Sequence, residues 1–285
     1  MKLLQAILIL SGMIIGVGMF GIPYVFLQAG FLVGVIELAV LAGVIMLFHL
    51  LYADVVVATP VFHRMPGYVQ TYLGKRVALL SWASAFFGIS GTLLAYILIG
   101  SVFLNAIVST FWKESNEFFW AVVVVLSCAL ITAMPLKREA LINGILTVLL
   151  IIFIALLSIF LLPNIDSAHL GGIGSVSLFV PYGVILFALS GGVVIPDLVA
   201  FLGRRDKNIR RAIIIGTAIP AILYFFFAFA VVGALGNRVS EEAIAGLGAV
   251  FGSRIVLVGS VIGFLAAFTS YIVLTVSFRE LFLLD

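Results

Sequence analysis

The chain has 285 residues, of which 64% are hydrophobic and only 9% charged, with a formal net charge of +3. Soluble domains run at about 45 to 50% apolar and about 25% charged, so this composition excludes a soluble enzyme or binding module and indicates an integral membrane protein. The basic residues sit in short loops between apolar runs, which is a topology signal and excludes a nucleic-acid surface.

The first apolar run starts after Lys2 and continues well past the 7 to 15 residues of a signal-peptide core, with no A-x-A-like cleavage site, so it reads as a retained membrane span. A helix needs about 20 apolar residues to cross the hydrocarbon core. Eight runs qualify, at about 4–28, 31–53, 77–109, 118–135, 140–162, 176–201, 212–235 and 252–278. They are continuous rather than alternating segments of about 10 residues, so helices are expected and a barrel is not. The chain is expected to form one all-α membrane domain.

Orientation follows from the loops. With the N-terminus in the cytoplasm, Lys2, Arg64, Lys75, Arg76, Lys137, Arg138, Arg204, Arg205, Lys207, Arg210, Arg211 and Arg279 are inside, and Lys113, Arg238 and Arg254 outside. Positive charge favours the cytoplasmic side, which predicts a multi-pass inner (plasma) membrane protein with both Lys2 and Asp285 inside. The cluster from Gly203 to Arg211 is explained as a topology anchor, with anionic-lipid contact as the alternative.

Two runs carry the same interruption, G-x-x-x-I-P, as Gly18 to Pro23 and again as Gly191 to Pro196. Glycine and proline weaken a helix interior. Lipid cannot satisfy the backbone groups that a break releases, so such a break is tolerated where protein or a polar cavity covers it. Matched interruptions are the sequence pointer to a transporter's binding site. Gly12 and Gly16 have the spacing of a packing stripe, but Gly16, Gly18, Gly21 and Pro23 do not share one face, which favours unwinding over packing. An unwound helix offers N–H groups to a carboxylate and carbonyls to Na⁺ or an ammonium, and a zwitterionic amino acid presents both charges.

The first span resembles the opening of the hydroxy and aromatic amino acid permeases, within the amino acid, polyamine and organocation superfamily. The stretch Phe187 to Gly192, then Ile195-Pro196-Asp197-Leu198-Val199, then Arg210 to Gly216 with Ile219-Pro220, is similar to that family's sixth and seventh spans. The resemblance implies a LeuT-type fold, a five-plus-five inverted repeat with spans one and six discontinuous, and ion-driven uptake of aromatic or other neutral amino acids. It implies that Gly16, Val17 and Gly18 offer backbone amides to the substrate carboxylate, with Phe187, Ser190 and Gly191 lining the pocket. Ala266, Thr269 and Ser270 resemble the A-x-x-T-S sodium pattern, which Gly12 and Ile15 would complete with carbonyls. The alternative for Thr269 and Ser270 is bonding to helix backbone. The coupling ion is Na⁺ or H⁺, and no further cofactor is expected. Two departures stand out. Ala188-Leu189-Ser190 replaces an aromatic and His-containing motif, and the chain stops after eight of about eleven spans, which reads as a truncated second repeat.

Glu37 falls inside the second span, where an ionisable group is a functional candidate by default. It reads either as a proton carrier or as a structural acceptor for the broken sixth span. The three histidines have no metal-ligand spacing and no catalytic set accompanies them, so no enzyme is expected. The expected partners are an amino acid substrate and the lipid bilayer, and no oligomeric state follows from these residues.

Overall fold

The computed structural model describes residues 2–112, 116–134, 136–171, 179–205 and 207–284, without the side chains of 136–140. Lys113, the side chains of Lys137 and Arg138, Asp285 and the expected start of the sixth span at 176 lie outside the described residues.

The described chain is all helical. In order, α1 is Lys2–Ile14, α2 Ile22–Ala29, α3 Phe31–Ala58, α4 Met65–Leu73, α5 Lys75–Ser109, α6 Glu117–Thr132 and α7 Leu136–Leu161. Then come α8 Val180–Leu189, α9 Ile195–Leu202, α10 Ile209–Leu235, α11 Ile244–Phe251 and α12 Ser253–Leu284. Among the described residues, six helical stretches are long and apolar enough to cross a membrane, with α8 and α9 together (Val180–Leu202) counting as one, or seven when α1 and the bent segment Val17–Ala29 also count as one span. The expected span at about 118–135 is the 16-residue α6, shorter than the roughly 20 residues of a full crossing.

The helix lengths repeat. The series α1 to α5 has 13, 8, 28, 9 and 35 residues, and α8 to α12 has 10, 8, 27, 8 and 32. The eight-residue helices α2 and α9 both begin Ile-Pro and end on a glycine with positive φ, Gly30 (φ 96) and Gly203 (φ 91). Only glycine adopts that conformation without strain, so the chain turns at the same point in each half. The packing repeats as well: α1 lies on α10 while its counterpart α8 lies on α3, and α5 lies along α12. α6 and α7 have no counterpart after α12 among the described residues.

The core sits where α1, α8, α9, α10 and α12 meet. Leu10, Ile14, Ile185, Leu189, Leu198, Tyr224, Phe227 and Ile272 are all essentially inaccessible there. The outer faces of α3 and α5 stay apolar and exposed, with Leu32, Ile36, Val40, Leu47, Leu80, Phe87 and Leu94 among their side chains, as expected of a surface that meets hydrocarbon.

Candidate functional site

Each G-x-x-x-I-P stretch interrupts its helix with an extended residue and a 3₁₀ turn, and only the first is bent by more than 40°. α1 stops at Ile14, Gly16 is extended (φ −113, ψ −173), a 3₁₀ turn runs over Val17–Gly21, and α2 begins with Pro23 in its first turn. Segments Lys2–Ile14 and Val17–Ala29 are bent 53° from each other. In the later stretch α8 stops at Leu189, Ser190 is extended (φ −68, ψ 116), a 3₁₀ turn covers Gly192–Val194, and α9 begins with Pro196 in its first turn. Proline lacks the N–H that would continue the preceding turn and is tolerated at a helix start, which fixes where the second half-helix begins.

The breaks abut. A Cβ placed on Gly18 would lie 3.0 Å from Phe187 Cδ1 and 3.2 Å from the Ala188 Cα, and one on Gly191 only 2.5 Å from Ile14 Cγ1. At Gly191 the opposing helix occupies the space a side chain would need, and at Gly18 a side chain would press on α8 closely enough that its neighbours must give by a few tenths of an ångström. From α10, the buried Tyr224 hydroxyl lies 2.6 Å from the Ile14 carbonyl and 3.2 Å from the Ala188 carbonyl, so it spans both breaks. From α3, the buried His49 ring bonds Thr217 Oγ1 at 3.1 Å and packs on Gly192. α3 and α10 thus each bring one polar side chain to the breaks.

A cavity of about 180 Å³ lies between the breaks, lined by Gly16, Gly18, Phe187, Ser190 and Gly191 together with Thr92 and Tyr96 of α5. None of its lining residues is charged. Thr92 and Ser190 donate their protons to carbonyls of their own helices, leaving oxygen lone pairs as acceptors. Five of the six residues expected to hold substrate therefore line one cavity. Val17 starts the 3₁₀ turn and is not among the lining residues.

The expected ion-binding residues come together only in part. Ala266, Thr269 and Ser270 are buried on α12, and Ile15 is buried at the first break. Thr269 donates to the carbonyls of Leu265 (2.8 Å) and Ala266 (3.3 Å), as helix threonines commonly do. Ser270 Oγ is fully buried and forms no hydrogen bond of good geometry. It sits at the break: a Cβ on Gly16 would be 3.2 Å from Ser270 Oγ and 3.0 Å from Tyr96 Oη. Gly12 abuts Thr147 of α7. Glu37 is half-buried on α3 with Oε2 unpartnered, and the α3 side chain packed on the second break is His49, twelve residues further on.

A buried charge cluster ties the second break to two other elements. Arg64, in the connection before α4, is 3% exposed. It donates from Nη1 to the Val193 carbonyl (3.0 Å) and Asp197 Oδ2 (2.8 Å), and from Nη2 to Asp197 Oδ1 (2.7 Å) and to Glu280 of α12. Burial disfavours the Arg64 charge, but the two carboxylates outweigh it and raise its pKa above the ordinary guanidinium value. By contrast, Arg210 and Asp54 form an exposed pair at 3.0 Å. In the sequence Arg64 reads only as a topology charge, and Tyr96, Tyr224 and Glu280 carry no motif that marks them. A hydroxyl within the apolar run around Tyr224 is the available signal.

The profile of the tryptophan/tyrosine permease family matches residues 1–285. Glutamine transporter 2 of Aliivibrio fischeri is 26% identical over 238 residues, covering 82% of this chain and 61% of that protein. Tyrosine-specific transport system 2 of Haemophilus influenzae is 25% identical over 252 residues, covering 83% of this chain and 59% of that protein. The chain thus spans about three fifths of the length of these relatives. With a whole-length match of this kind, and the two breaks in register, the chain belongs to the tryptophan/tyrosine permease family.

Proposed function

We propose that this chain forms the substrate-binding part of a secondary active transporter that imports neutral amino acids, aromatic ones or glutamine, by alternating access. The observation that carries this reading is the abutment of the two breaks around an uncharged cavity. The backbone amides at Val17 and Gly18, which open the 3₁₀ turn, suit a carboxylate, whereas that of Gly16 bonds the Ile14 carbonyl (2.8 Å); the carbonyl end of α8 suits an ammonium, and the uncharged lining suits an uncharged side chain. The names of the two relatives support glutamine and tyrosine as the first substrates to try.

The repeated helix series supports a LeuT-type inverted repeat, with α1–α2 and α8–α9 as discontinuous spans one and six. We place the N-terminus in the cytoplasm and the chain in the inner membrane, from the loop charges. The transported ion is Na⁺ or H⁺. The buried Ser270 Oγ beside Gly16, which has no hydrogen bond of good geometry, supports Na⁺, because a hard cation takes oxygen ligands of this kind.

Counterflow in proteoliposomes tests the reading, using labelled glutamine, tyrosine and tryptophan with and without Na⁺ and a pH gradient. Exchange of at least one of the three is expected. A chain that inserts and folds yet exchanges none of them, nor any other neutral amino acid, removes the transporter reading.

A further inference from the structure

A second cavity, of about 510 Å³, opens between α1, α7, α9, α12 and the connection before α4, at the end of the bundle that carries the C-terminus of α12. It shares no lining residue with the cavity at the breaks. Its volume falls in the range of about 300 to 1,000 Å³ typical of small-molecule sites.

Its polar lining is unbalanced. Arg64, Asp197 and Glu280 all line it, so one guanidinium faces two carboxylates, and the Arg64 donors at both Nη atoms are already directed at protein oxygens. The side chains of Asp197 and Glu280 are 31% and 20% exposed, whereas that of Arg64 is 4% exposed. A fourth group is independent of the cluster. Asn143 of α7 lines the same cavity, is only 5% exposed, and its Oδ1 has no hydrogen-bond partner. A buried amide oxygen without a donor costs about 1 to 3 kcal/mol, which a ligand donor would recover. The other ionisable lining group, His63, bonds the Leu284 carbonyl at 3.3 Å and stacks edge-on against Tyr68. The rest of the wall is apolar, with Pro196, Phe201, Val276 and Leu283 among it.

We propose that this cavity binds a primary ammonium group carried on a small apolar body. The excess carboxylate supplies the charge complement. An ammonium has three donors and no acceptor, which suits a site offering Asp197, Glu280 and the Asn143 oxygen. An anion meets net negative charge, and a bare metal ion leaves the apolar wall without a partner. An amino acid in transit and a free amine both carry the required chemistry.

The test is thermal stabilisation of the full chain in nanodiscs by n-butylammonium, with sodium butyrate and sodium chloride as counter-probes. Butylammonium alone stabilises, and Asn143→Leu or Glu280→Gln weakens its apparent affinity at least about tenfold, the effect of one lost bond to a charged group. Gly43→Ala, on α3 where a Cβ meets nothing within 4 Å, leaves it unchanged. An equal response to sodium chloride or butyrate, or an amine response indifferent to both variants, overturns the proposal. Should either variant fail to fold, Ala200→Cys on a Cys128→Ser background replaces it: butylammonium slows alkylation of this wall position, and an unaltered rate overturns the site. Displacement by glutamine assigns the site to an amino acid, and its absence to a free amine; the ammonium chemistry stands in both. The measurement involves no transport, so it stands or falls apart from the transporter reading.

Discussion

The Tyr224 hydroxyl lies 2.6 Å from the Ile14 carbonyl, the last of α1 before the first break, and it also reaches the Ala188 carbonyl beside the second, at 3.2 Å. A phenol has one proton, so it donates fully to one of these carbonyls at a time. The closer Ile14 oxygen takes it here, and the Ala188 oxygen remains available as an acceptor facing the cavity. One residue of α10 therefore registers the two breaks against each other.

Tyr224→Phe preserves the ring packing and removes that tie. The Ile14 carbonyl keeps the Gly16 N–H (2.8 Å) but loses the hydroxyl, one net hydrogen bond, which costs about 0.5 to 1.5 kcal/mol. Unfolding in detergent should show a loss of that size. Hydrogen exchange should accelerate at both 14–18 and 188–192. Acceleration confined to α10 would contradict the proposed registration of the breaks.

Gly191→Ala tests the close approach of the breaks. Its Cβ would stand 2.5 Å from Ile14 Cγ1 and 3.1 Å from Leu10 Cδ1, both against α1. Overpacking of a filled interior costs about 1 to 3 kcal/mol. Substrate affinity should fall by at least about tenfold, since the displaced α1 end carries the binding backbone. Gly43→Ala, where a Cβ would meet nothing within 4 Å, is the matched control and should be silent.

The breaks were legible because glycine and proline act locally, and the structure adds a regularity already present in the letters. Gly18 to Gly30 and Gly191 to Gly203 are both twelve apart, with Ile-Pro at the same offset. The charge cluster was not legible. Arg64 and Glu280 are 216 residues apart, and nothing in either neighbourhood marks burial. Glu37 drew attention because it is charged within an apolar run, whereas His49, the group that meets the second break, looked like one of three scattered histidines. Which position on a uniformly apolar helix faces inward depends on its neighbours, and α3 has almost no amphipathic pattern to reveal it.

Ser270→Ala addresses the transported ion. It removes the buried oxygen beside Gly16 that lacks a well-formed hydrogen bond, so folding stability should change by less than about 1 kcal/mol. In uptake assays the Na⁺ concentration for half-maximal rate should rise at least about tenfold, the effect of one lost ligand to a charge. Ser270→Thr, which keeps the oxygen, should recover most of it. An ion dependence identical in Ser270→Ala and the parent would move the driving ion to H⁺.

Arg64→Gln separates buried from exposed charge. Removing one member of a buried ion cluster leaves the others uncompensated and typically costs about 3 to 5 kcal/mol. Here Asp197 loses a two-pronged partner, Glu280 loses its bond and the Val193 carbonyl loses a donor, so a loss in that range is expected in detergent unfolding. Arg64→Lys should recover only part of it, because an ammonium is a point charge and cannot match the planar fork. Adding Asp197→Asn and Glu280→Gln to Arg64→Gln should restore stability relative to the single variant, since no buried charge is then unpaired. Arg210→Gln, which breaks the exposed pair with Asp54, should cost no more than about 1 kcal/mol. Equal losses at Arg64 and Arg210 would mean that the Arg64 cluster is solvated, and the account of α9 and α12 held together by a buried guanidinium would fall.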